Sequence, residues 1–203
     1  MSKGFSGSRV LGAVCMVLLL AEVMLIILSW LLSAAMMEGV RSLLSSQGIR
    51  WYFGSFTSIM ASPLLVWLLL LLSAWGCLQQ SGAVALCRQQ EPITYRERIA
   101  LRVAFIFLMI YVAIIALLTL MPHAILLSST GQLFPSAFSR SLVPIVAFGV
   151  MLFSVSFAMM AGHVRTLAEI LQFLSFGIAK GAPLIIVLFL LIQLYESIRF
   201  VFT

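Results

Sequence analysis

Apolar runs of roughly 20 residues recur along this chain, and each is long enough as a helix to cross a hydrocarbon layer of about 30 Å. Inside such a layer the backbone must satisfy its own hydrogen bonds, so only helices and closed barrels span it. The runs are continuous and lack the alternation of a barrel strand, which selects helices. Of the 203 residues, 63% are hydrophobic and only 9% charged, which leaves little chain for a water-soluble domain. The expected fold class is all-α: a polytopic helical membrane protein forming one transmembrane domain over 1–203. Spans are predicted at about 10–36, 64–86, 103–121, 143–161 and 183–202. The first run far exceeds the roughly 7 to 15 residues of a signal-peptide core and reads as a retained span.

Five crossings put the termini on opposite sides. With the N-terminus in the cytoplasm, Lys3, Arg9, Arg88, Arg96, Arg98, Arg102, Arg165 and Lys180 fall inside. Arg41, Arg50, Arg140 and Arg199 fall outside, and the excess of inner cations favours this orientation. The same placement explains the net charge of +6 without nucleic acid as a partner.

Two amphipathic stretches predict interfacial helices. In 40–62, Ile49, Tyr52, Phe53, Phe56, Ile59 and Met60 oppose Gln47, Arg50, Ser55, Thr57 and Ser58, with Trp51 and Tyr52 expected at headgroup level. In 163–176, Leu167, Ile170, Leu171 and Leu174 oppose Arg165, Glu169 and Gln172. Pro63, Pro144 and Pro183 are each expected at the start of a span, where a missing N–H is harmless. Gly177 and Gly181 have the spacing of a small-residue packing motif, but Lys180 lies between them and the motif precedes the predicted last span, so it is given no weight.

Glu22 is the sharpest chemical feature. It falls near the centre of the first span, where an ionised carboxylate costs about 2.5 to 3.5 kcal/mol on insertion scales. Two readings stand: an intramembrane coupling acid that relays a proton or cation, or a neutral Glu making one interhelical hydrogen bond. Glu196 and Arg199, three apart on the last span, form a candidate intramembrane ion pair. His123 and His163 sit at opposite faces and cannot share a metal. Cys15, Cys77 and Cys87 have neither disulfide nor zinc spacing and read as packing residues. Asp is absent from the chain, and no HExxH, GxSxG, Walker or dinucleotide motif occurs, so neither an enzyme, a bound metal nor a cofactor is expected.

The stretch 40–52, VRSLLSSQGIRWY, followed by a span ending Gln80-Ser81-Gly82-Ala83-Val84, resembles the early part of AbgT-type p-aminobenzoyl-glutamate transporters. Ile93-Thr94-Tyr95-Arg96-Glu97-Arg98, then Met121-Pro122, Thr130 to Phe138 and Ser141-Leu142-Val143-Pro144-Ile145, resembles a later part of the same family. The two blocks cover most of the chain after the first span. Family members are more than twice as long. Between the blocks they carry a re-entrant hairpin and further helices, where this chain has only Arg88-Gln89-Gln90-Glu91-Pro92, and a second hairpin follows. Those hairpins carry the family's substrate and cation contacts, including Asp residues, so no binding residue transfers.

The resemblance implies a multi-pass protein of the bacterial inner membrane that moves p-aminobenzoyl-glutamate or a related small carboxylate. The alternative is a transport-inactive scaffold or partner subunit that retains the dimerising helices. The expected partners are the lipid bilayer and either a second copy, making a homodimer, or a second membrane subunit.

Overall fold

The computed structural model describes residues 3–37, 39–84, 94–120 and 137–203. All regular structure among them is helical: α1 (Lys3–Ala34), α2 (Ser46–Gly54), α3 (Phe56–Met60), α4 (Pro63–Gln80), α5 (Tyr95–Leu120), α6 (Ala137–Ala161) and α7 (Leu167–Phe202). Five of these, α1 and α4 to α7, are long and apolar enough to cross a membrane. The chain is a multi-pass helical membrane protein. His123, Cys87, the 88–92 connection and the motif from 130 to 136 lie outside the described residues.

Local chemistry sets the helix ends. Before α5, the Thr94 N–H donates to Glu97 Oε2 at 3.0 Å, which starts the helix at Tyr95 and not at 103. Helix α4 stops at Gln80 and not at 86, because Gly82 turns the chain with φ +81°, a conformation that glycine adopts without a Cβ clash.

Residues 163–176 do not form a separate surface helix. Thr166 and Glu169 build a capping box, with Glu169 N–H donating to Thr166 Oγ1 at 3.3 Å and Thr166 N–H to Glu169 Oε2 at 3.4 Å. The helix that begins there runs without a break to Phe202. Two prolines predicted at span starts lie within helices, Pro144 in α6 and Pro183 in α7. Pro183 has no N–H for the Ala179 carbonyl, a loss that membrane helices tolerate better than soluble ones.

The chain groups into two compact units: residues Met1–Val66 with Gly181–Thr203, and residues Trp67–Lys180. In the second, α5 and α6 run antiparallel, with Ala100 and Ala104 buried against Phe157 and the Tyr111 hydroxyl donating to the Ile145 carbonyl at 2.9 Å. There α4 meets the first part of α7 through small residues. A Cβ on Gly76 would collide with the Gly177 backbone, and one on Gly177 with the Leu72 carbonyl. The Ser73 hydroxyl donates to the Leu174 carbonyl at 2.9 Å and the Cys77 thiol to that of Phe173 at 3.7 Å. Gly177, given no weight in the sequence, is thus one side of a close helix approach in this unit.

Candidate functional site

The first unit pairs α1 with the last turns of α7. Leu11, Cys15, Leu18, Glu22, Ile26 and Ser29 recur at three- and four-residue spacing and are shielded, whereas most of α1 is exposed, as expected for lipid contact. On α7 the buried positions Gln193, Ser197 and Val201 are four apart, again one helix face. These two stripes meet at a hydrogen bond: the Ser197 hydroxyl donates to Glu22 Oε1 at 2.7 Å.

That contact leaves the site under-satisfied. Glu22 Oε2 is buried with no hydrogen-bond partner among the described residues, as are both amide atoms of Gln193. Gln193 is only 4% exposed, one helical turn from Ser197. Each buried polar group left without a partner costs about 1 to 3 kcal/mol, a penalty that hydrophobic residues of similar size would avoid. A carboxyl group with one bonded and one unpaired oxygen, on the same helix pair as an amide without a partner among the described residues, keeps hydrogen-bonding capacity in reserve.

The segment joining α1 to α4 completes the surroundings. Ser29 Oγ accepts from the Leu43 N–H at 3.2 Å and donates to the Ile26 carbonyl at 2.8 Å. The Arg41 N–H donates to the Val201 carbonyl at 2.9 Å, Trp51 stacks on Phe200 with ring centroids 4.4 Å apart, and Phe56 meets Phe189 edge-on at 5.9 Å. From Val201 back to Phe189 is about 18 Å along a helix axis. The segment therefore packs against α7, with Arg41 and Trp51 at its last turns and Phe56 further back along it, where the sequence predicted a single helix over 40–62 lying in the interface plane.

It does so as two short helices. The Ser45 hydroxyl caps α2 by accepting from Gly48 N–H at 3.0 Å. The break follows Gly54, a poor helix former, where the Ser55 N–H turns back to the Trp51 carbonyl at 2.8 Å. A cavity of about 240 Å³, lined by Ile26, Leu43, Leu44, Ile49, Tyr52 and Phe53, separates this segment from α1 one turn from Glu22. Burial, and then the nearness of Glu22, raise the pKa of the Tyr52 phenol above its ordinary value.

The other singled-out residues stand apart from this cluster. Arg199 and Glu196 are 4.0 Å apart, with side chains 66% and 29% exposed, a geometry worth at most about 1 kcal/mol. In the second unit His163 Nδ1 lies 3.0 Å from the Ser81 carbonyl oxygen and its ring meets Phe157 edge-on, so it ties the end of α4 to the end of α6. Sequence reasoning found Glu22 but missed Ser197, Gln193, Ser29 and Tyr52. Polar residues four apart in an apolar helix, as Gln193 and Ser197 are, were the signal that could have found the first two. No protein-family model, no curated protein and no solved structure matches this chain.

Proposed function

We propose that this protein is a membrane transport protein of the AbgT-like kind, moving p-aminobenzoyl-glutamate or a related small carboxylate, with Glu22 as its coupling acid. The single observation that carries the reading is the Glu22 carboxyl group, held by Ser197 through one oxygen and open at the other, beside the uncommitted Gln193 amide. The substrate class rests on the resemblance of residues 40–52 and 93–145 alone.

The test is uptake of labelled p-aminobenzoyl-glutamate by proteoliposomes under an imposed pH gradient. Gradient-driven uptake by the wild-type chain should be lost in Glu22→Gln. Unchanged uptake in that variant removes Glu22 from the mechanism.

A second reading, a transport-inactive scaffold or partner subunit, is favoured by the close Gly76 and Gly177 packing of the other unit, which suits a rigid support. It expects no uptake by the purified chain and a stoichiometric second membrane protein in complexes extracted with mild detergent.

A further inference from the structure

Helices α5 and α6 leave between them an open surface groove of about 510 Å³, lined by Leu101, Arg102, Phe105, Ile106 and Phe153. Arg102 is the one charged residue of this wall. Arg98 lies four residues earlier and so on the same side of α5. Both arginines are exposed, and neither takes part in an ion pair among the described residues.

The nearest carboxylate in sequence is committed elsewhere, since Glu97 Oε2 accepts from the Thr94 N–H. Arg96 is committed too, its Nε donating to the Met160 carbonyl at 3.4 Å. Arg102 is about 10 Å along the axis from the start of α5 at Tyr95, a depth from which a long side chain reaches the headgroups. Phe105 and Ile106 continue the slot one turn deeper.

Two uncommitted cations above an apolar slot match a molecule with a negative head and a hydrocarbon body. A free phosphate would leave the slot unfilled. A zwitterionic lipid would bring its own cation beside two arginines, with Glu97 the one described acid on these first turns of α5 and one of its oxygens already accepting from the Thr94 N–H. The arginine asymmetry of the chain puts this end of α5 toward the cytoplasmic leaflet, where anionic lipids draw basic residues.

We propose that the α5 and α6 groove is a binding site for one anionic phospholipid, its phosphate held by Arg102 and Arg98 and an acyl chain lying along Phe105, Ile106 and Phe153. The site lies in the second unit and does not depend on the transport reading.

The test is native mass spectrometry of the full chain in mild detergent, titrated with phosphatidylglycerol or phosphatidylcholine. The wild type should retain one phosphatidylglycerol in preference to phosphatidylcholine. The double variant Arg98→Gln/Arg102→Gln should weaken that retention by roughly 25-fold, corresponding to about 1 kcal/mol for each arginine. Ile106→Trp keeps both charges but fills the slot and should displace the lipid as well, whereas Arg50→Gln in the other unit should leave it bound.

Equal retention of the two lipids overturns the proposal, as does retention unchanged in both groove variants. Loss in the arginine variant alone reduces the effect to surface charge, and loss in Ile106→Trp alone reduces it to a greasy cleft; either result also overturns the site. Gel-filtration elution matching the wild type establishes that each variant is folded, and where one fails the other decides.

Discussion

The two units of this protein hold their helices together by opposite means. In residues Trp67–Lys180, small side chains let backbones touch, and Ser73, Cys77 and Tyr111 find carbonyl partners on neighbouring helices. In residues Met1–Val66 with Gly181–Thr203, the α1 and α7 stripes meet through Glu22 and Ser197, and three polar atoms of Glu22 and Gln193 have no partner among the described residues. Lipid tails are as apolar as leucine, so helices in a membrane gain little from burying hydrocarbon and associate through packing or polar contacts. The second unit uses close packing with its bonds mostly closed, Ser154 excepted. The first keeps open bonds inside, which suits chemistry better than stability.

Substitutions can break that contrast. The largest expected effect is Gly177→Ala, because the new Cβ would strike the Leu72 carbonyl and the Gly76 backbone. No rotamer change relieves a backbone clash, and thermal unfolding in detergent should report a loss of about 3 kcal/mol. Wild-type stability in that variant would mean that the seam is looser than described.

Next comes Ser197→Ala, which leaves both Glu22 oxygens without a donor and should cost about 1 to 3 kcal/mol in the same measurement. Gln193→Leu should move the other way, gaining about 1 kcal/mol by replacing two unmatched buried atoms with hydrocarbon. If the proposed function holds, that gain accompanies slower uptake, and a destabilised Gln193→Leu would show that its amide is satisfied in the membrane. The smallest effect belongs to Arg199→Gln, under about 1 kcal/mol and weaker still in high salt.

The sequence makes the spans legible because continuous apolar runs have one solution in a bilayer. The predicted and observed helices agree closely at the C-terminal ends of α1, α5 and α6, whereas α1 begins at Lys3, seven residues before the predicted start. Boundaries that depend on a few polar atoms were harder to place. The Thr94 and Glu97 cap starts α5 early, and the Thr166 and Glu169 box launches a helix that passes through Gly177, Gly181 and Pro183, residues that in water would argue for a stop. Segment 40–62 has the periodicity of a surface helix, yet its aromatic rings find partners along α7 in Trp51 with Phe200 and Phe56 with Phe189. Amphipathicity alone does not distinguish a lipid surface from a neighbouring helix. Glu22 stood out by its cost, whereas Gln193 and Ser197 carry no charge and become conspicuous only when a carboxylate is found opposite them.

The unbroken length of α7 has a consequence for the membrane around it. Its 36 residues measure about 54 Å, against roughly 30 Å of hydrocarbon. Burying the whole helix would demand a tilt near 56°, beyond the 0 to 40° that spanning helices show. One end must therefore stand clear of the hydrocarbon, and how much stands clear varies with the length of the surrounding acyl chains. Bilayer thickness is thus an input to this protein: a thinner membrane exposes another turn of α7 to water, and a thicker one draws that turn in.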